Sequence, residues 1–255
     1  MVAGFLVLPV SAAGWTDSAP VAALFHDAGV SGTFVVHDPD SGEDAGYNRE
    51  RAQQRFLPAS TFKIANALIG LDAGVVPDVD TALPYRGAAQ PYIAAWGRDM
   101  GLREAMSLSN VPIFQELARR IGVERMAQGI ARLGYGNGEI GDQVDGFWLS
   151  GPLRISAVEQ TRLLAALARG TLPFPPRVQS AVRDILLLEQ GEGWKLYGKT
   201  GWQNAPGSGV GWWVGWLEKH GRVYAFALNM DLRHAEDAAR RVELGKASLR
   251  ALGLY

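Results

Sequence analysis

The stretch Thr61-Phe62-Lys63-Ile64-Ala65-Asn66-Ala67-Leu68-Ile69-Gly70-Leu71 reads as a helix that is apolar on nearly every side. Such a helix has to be covered all round, so it must be central to the fold. Ser60, an N-cap residue type, is read as the cap that opens it. Periodicity changes elsewhere. Residues 32–38 read as a strand, 40–43 as a turn and 45–49 as the returning strand. Segments 194–202, 210–218 and 222–230 alternate with a period of two and read as three consecutive strands. Helical patterns occupy 19–29, 112–121, 123–133, 156–169, 178–189 and 235–252. Strands at both ends with helices between them indicate an α+β fold. One mainly antiparallel sheet, from about 32–49 and 194–231, is flanked by the end helices. A helical lobe over about 60–190 is inserted, and the apolar helix is expected between sheet and lobe, beside a cleft.

With 255 residues, 47% of them hydrophobic and 20% charged, the chain can bury a sizeable core as one unit. A net charge of −1 leaves no electrostatic footprint for nucleic acid or an anionic membrane surface, so neither is expected as a partner. The absence of cysteine excludes thiolate nucleophiles, thiolate metal sites and disulfides. Residues 1–13 are apolar and end in small residues. They read as the remnant of a signal peptide lacking its basic start, and point to a periplasmic or secreted protein.

Only five lysines occur among 25 Lys+Arg, and Lys63 is the sole lysine before position 195. Arginine cannot give up its proton in a protein, whereas a buried lysine can. A lysine kept one helical turn from Ser60 in an arginine-preferring chain suggests an amine needed in its neutral form. Deprotonating a free lysine near pH 7 costs roughly 4–5 kcal/mol, and burial can shift its pKa by about 3–5 units. A serine at a helix start faces free N–H groups and the positive end of the dipole, which suits a nucleophile. The alternative is a chance Ser-x-x-Lys.

Ser109, in Ser107-Leu108-Ser109-Asn110-Val111, is either a proton relay or the N-cap before Val111-Pro112. Lys199, in Lys199-Thr200-Gly201, is either an ordinary strand lysine or part of a strand edge that binds a carboxylate. His26, His37, His220 and His234 form no metal-ligand spacing, so no metal is expected, and His220 reads as a turn residue. The tryptophan-rich segment 211–217 reads as core packing rather than a ligand platform.

Taken in order, Ser60-Thr61-Phe62-Lys63, Ser109-Asn110-Val111, Tyr135-Gly136-Asn137, Phe147-Trp148-Leu149 with Leu153-Arg154-Ile155-Ser156, and Lys199-Thr200-Gly201 resemble the class D, oxacillinase-type serine β-lactamases. Gly211-Trp212-Trp213-Val214-Gly215-Trp216 resembles that family's closing strands. The resemblance implies a single catalytic domain over 19–255 and hydrolysis of a β-lactam through an acyl-enzyme on Ser60. It also implies an oxyanion hole from the N–H groups of Ser60 and Trp202, and a general base formed by carboxylation of Lys63 with CO2. No other cofactor is implied. Phe62, Val111 and Leu149 would wall the carbamate, and the Trp148 indole would hydrogen-bond it. Ser109 would pass a proton to the lactam nitrogen, and Lys199, Thr200 and Arg241 would face the substrate carboxylate, with Arg240 the adjacent candidate. The partner is then a small-molecule β-lactam, and a monomer or homodimer is expected.

Two related readings use the same residues: a penicillin-binding transpeptidase, and a β-lactam sensor domain that acylates without turning over. A class A enzyme is disfavoured because no Glu-x-x-Leu-Asn stretch occurs.

Overall fold

The computed structural model describes residues 14–203, 209–232 and 235–255, so the apolar stretch 1–13 lies outside the described residues. In chain order the elements are β1 (Trp15–Asp17), α1 (Ala19–Asp27), β2 (Gly32–Asp38), β3 (Glu43–Tyr47), α2 (Arg49–Gln53), a 3-10 turn (Ala59–Phe62) and α3 (Lys63–Asp72). A 3-10 turn (Ala94–Trp96), α4 (Leu102–Ser107), α5 (Val111–Ile121), α6 (Val123–Leu133), α7 (Ala157–Arg169) and α8 (Pro176–Asp184) follow. The chain then returns to strands β4 (Leu187–Gly191), β5 (Trp194–Trp202), β6 (Gly209–Lys219) and β7 (Arg222–Leu232), and ends in a 3-10 turn (Ala235–Ala238) and α9 (Arg240–Ala251).

The seven strands form one sheet in the order β1-β3-β2-β7-β6-β5-β4. Every pairing is antiparallel except β1 with β3. The fold is therefore α+β, as the segment pattern indicates. The β6–β7 ladder runs to Lys219↔Arg222, leaving His220 and Gly221 as a two-residue turn. Both have positive φ, 50° and 80°, as a hairpin turn matched to strand twist requires.

Alternation along β6 divides the apolar residues between two cores. Trp213 and Leu217 face one with Val21, Phe25 and Leu249 of the end helices. Trp212, Val214 and Trp216 join the larger core beneath the helical lobe. All three tryptophans are essentially inaccessible, so the packing reading of this strand holds. Helix α9 reaches Trp213 through Gly245, where a Cβ would stand 2.1 Å from the indole Cε3. Gly245→Val is expected to cost about 1–3 kcal/mol by overpacking, read as a lower urea midpoint at unchanged slope.

Two local expectations are corrected and a third is refined. Helix α8 stops at Asp184 rather than continuing to 189, because Leu187–Gly191 pairs with β5 as an edge strand. Ser60 does not cap a helix: it lies inside the 3-10 turn, whose own cap residue, Pro58, supplies no side-chain bond. Finally, α3 packs chiefly within the lobe while sharing one core with β6. All its residues from Lys63 to Leu71 are buried, among α5, α6 and α8, and the turn preceding it meets β5 and β6.

Candidate active site

Ser60 sits at the junction of sheet and lobe. Its neighbour Ala59 has φ 48°, in the left-handed region, while Gly201 of β5 packs so closely that a Cβ would lie 3.0 Å from the Pro58 carbonyl. The Trp212 indole donates to the Leu57 carbonyl at 2.9 Å, fixing the approach to the turn. A backbone held in a sparsely populated region persists only where its surroundings over-determine it, and these contacts do so.

Lys63, the first residue of α3, has no exposed surface. Its Nζ donates to Ser60 Oγ at 2.6 Å and lies 5.6 Å from the centre of the Phe114 ring. No acid pairs with it among the described residues. Burial first, and the charge of Lys199 second, hold its pKa well below the ordinary lysine value. A shift in that direction favours the neutral amine beside the serine hydroxyl.

Lys199 on β5 donates to Ser109 Oγ at 2.9 Å and to the Thr200 carbonyl at 3.0 Å. Burial, with Arg241 as a second cause, lowers its pKa to about 7. Ser109 has φ 52° and does not cap α5. That role belongs to Asn110, whose Oδ1 accepts from the Ile113 N–H at 3.1 Å and whose Nδ2 donates to the Trp96 carbonyl at 3.1 Å. The hydroxyl of Ser109 is thereby free for Lys199, and the capping alternative is set aside.

The two adjacent arginines diverge. Arg241 donates to the Gly201 carbonyl at 2.7 Å, and burial lowers its pKa to about 10. Arg240 instead pairs with Asp237 and reaches the Ala28 carbonyl at 2.5 Å, away from Ser60. Arg241 is the one at the cleft.

That cleft, of about 350 Å³, is lined by Ser60, Ser109 and Val111, and facing them by Thr200, Trp202 and Arg241. It also has a wall that motif reading missed: Tyr92, Ile93 and Trp96, with Tyr92 78% exposed. In the sequence these residues fall within 77–101, a stretch expected to border the cleft but carrying no motif. A larger cleft, of about 600 Å³ and bordered by Arg169, Lys195 and Arg222, contains none of the motif residues.

Behind Lys63 the walls are aromatic. Phe62 stacks on Trp148 with centroids 5.3 Å apart and meets Tyr135 and Phe147 edge-on at 5.4 and 5.0 Å. Trp148 is fully buried, and its Nε1 has no hydrogen-bond partner among the described residues. Leu149 is half-buried against the same core. The structure thus gathers Ser60, Lys63, Ser109, Val111, Lys199, Thr200, Trp202 and Arg241 around one cleft, with Phe62, Trp148 and Leu149 in the packing behind.

Comparison with known proteins agrees with this arrangement. Residues 32–250 match the penicillin-binding protein transpeptidase domain family. The β-lactamase OXA-48 of Klebsiella pneumoniae is 38% identical over 250 residues, 98% of this chain and 94% of its own length. OXA-10 of Pseudomonas aeruginosa is 39% identical over 211 residues, 82% of this chain and 79% of its own. The crystal structure of FUS-1 (OXA-85), a class D β-lactamase from Fusobacterium nucleatum subsp. polymorphum, superposes with a TM-score of 0.88 at 41% identity, covering 92% of this chain and 97% of that one. The class D β-lactamase YbXI from Nostoc gives a TM-score of 0.89, also at 41% identity, covering 92% and 99%. The chain belongs to the class D β-lactamases, a family of serine hydrolases.

Proposed function

We propose that this protein hydrolyses β-lactam antibiotics through an acyl-enzyme on Ser60, with Lys63 in its carboxylated form as general base. The observation that carries the reading is the solvent-free Lys63 amine, 2.6 Å from Ser60 Oγ and, among the described residues, without an acid paired to it.

The surroundings of Lys63 suit a carbamate. Only a neutral amine attacks CO2, and burial favours the neutral amine. The unpartnered Trp148 indole N–H is a donor in an otherwise apolar wall, of the kind a buried anion needs. When present, the carbamate would supply an oxygen base for both acylation and deacylation.

In acylation Ser60 Oγ forms a bond to the lactam carbonyl carbon and loses its proton to the base at Lys63. The N–H groups of Ser60 and Trp202 hold the oxyanion. As the C–N bond breaks, Ser109 Oγ delivers its proton to the leaving nitrogen and takes up in exchange the one that Ser60 gave to the base at Lys63, so the hydroxyl and the base are both restored, and Lys199 is placed to steady that hydroxyl. Lys199, Thr200 and Arg241 face the substrate carboxylate. Water then adds to the Ser60 ester, releasing the free acid and restoring the hydroxyl. All these groups come from one chain, so a monomer or a homodimer is competent. No helix among the described residues is long and apolar enough to cross a membrane, and such a substrate suits a periplasmic or secreted enzyme.

The test is a burst and steady-state assay with a chromogenic cephalosporin, in CO2-depleted buffer with and without added bicarbonate. Many turnovers per enzyme, rising with bicarbonate, are expected. A single turnover would assign a sensor or penicillin-binding role instead. Full turnover that ignores bicarbonate would remove the carbamate.

A further inference from the structure

Beneath Ser60 a buried polar chain runs from α7 into the nucleophile turn. Gln160, near the start of α7 and 1% exposed, donates from Nε2 to Thr61 Oγ1 at 2.8 Å. Thr61 Oγ1 donates in turn to the Pro58 carbonyl at 2.8 Å, which also accepts the Thr61 backbone N–H at 3.2 Å. A hydroxyl has one hydrogen to give. With that hydrogen directed at Pro58, the oxygen of Thr61 is left as an acceptor, and Gln160 fills it. The loop so closed contains Ala59, in its left-handed conformation, and Ser60.

The position of Gln160 is itself fixed. Ser156 Oγ accepts from the Glu159 N–H at 3.1 Å while Glu159 Oε2 accepts from the Ser156 N–H at 2.8 Å, a reciprocal cap. Glu159 also pairs with Arg55, and Phe56 bridges Ile155. The strip of chain that leads into the nucleophile turn is therefore clamped to the start of α7, next to Gln160. Tyr135 stands beside Thr61 and Gln160, its phenol buried.

A buried neutral hydrogen bond adds little net stability over good apolar packing. It does fix direction. Thr61 could be held in place by bulk alone, but not with its hydroxyl aimed at Pro58.

We infer that Gln160 is a positioning residue for acylation: by holding Thr61 it sets the pitch of the 59–62 turn, and with it the 2.6 Å separation of Ser60 Oγ and Lys63 Nζ. The inference deepens the reading of Ser60 as nucleophile and rests on it. Misplacing a reacting group by about 1 Å can cost roughly 10²-fold in rate.

The test uses Gln160→Met, close in size and unable to donate. Its single-turnover acylation rate constant with a chromogenic cephalosporin is measured and normalised to the fraction acylated at the end point by intact mass. A fall of about 10–100-fold is expected, with non-covalent binding unchanged when the substitution is placed in a Ser60→Ala background. The double variant with Thr61→Val should be no slower than the slower single variant, since both break one chain. An unchanged rate constant per acylatable site, or two fully additive effects, overturns the inference. Gln160→Glu keeps the proposal testable should the Met variant fold poorly. Only a protonated carboxyl can donate to Thr61, so its acylation rate relative to the parent should fall as pH rises, and a flat ratio overturns the idea. A Ser60→Ala protein that still forms the adduct would instead refute the nucleophile assignment, whatever Gln160 does.

Discussion

Lys63→Met is expected to lower β-lactam turnover by roughly 10²–10⁴-fold, the usual loss for a missing general base, without lowering the thermal midpoint. The two halves of this result have one cause. The lysine amine is completely buried, with Ser60 as its hydrogen-bond partner and the charge of another lysine, Lys199, acting on it. Methionine fills nearly the same space and brings no charge to desolvate. The sign with pH follows. The folded-state pKa of Lys63 is depressed, so between that value and the ordinary one near 10.5 the unfolded chain binds the extra proton, and the parent gains stability as pH rises. The stability advantage of Met should accordingly be greatest at the acid end and shrink towards pH 10.5. Differential scanning across pH, beside steady-state assays with and without bicarbonate, checks all of this. A Met variant that retains parental turnover, or that responds to bicarbonate, refutes the role of Lys63.

Trp148→Ala should trap the acyl-enzyme. If the Trp148 N–H holds the base in place for the water attack, deacylation slows by about 10²-fold or more, and acylation by less, because Ser60 still meets Lys63 directly. Intact-mass measurement during turnover should then show the adduct as the dominant species. Removing a fully buried indole also leaves a cavity, costing about 3–5 kcal/mol. Trp148→Phe separates the two effects: it keeps most of the packing against Phe62 and Phe147 and loses only the donor. Both variants should accumulate adduct. A Phe variant that deacylates at the parental rate while Ala stalls would assign the residue to packing alone.

The reach of the sequence can be judged at particular positions. The pairing of Ser60 with Lys63 was legible because it is local: i and i+3 on one helical face meet whatever the rest of the chain does. Lys199 beside Ser109 was legible only through the ordered motifs, since the two are 90 residues apart. Two questions had no local answer. Ser109 and Asn110 are both capping residue types, and which one capped α5 depended on the contact of Asn110 with Trp96. Arg240 and Arg241 differ by about 100° on a helix, and the phase was set by where α9 begins after the 235–238 turn. The Tyr92–Trp96 wall lies in a stretch with little regular structure, so no period marked it. Strand β4 was masked by the leucine run at 186–188, which suits a helix and a buried strand equally until β5 is there to pair with it.

The electrostatic coupling of Lys63 to Lys199 has a thermodynamic corollary. As two amines they oppose each other's protonation. Carboxylation would reverse the sign at position 63, so that the same coupling would favour a proton on Lys199 and strengthen its hold on a substrate carboxylate. Linkage would then run both ways: whatever occupied the carboxylate site would alter the affinity of Lys63 for CO2 by the same factor. Dissolved CO2 would act as an effector of substrate affinity as well as a source of the base.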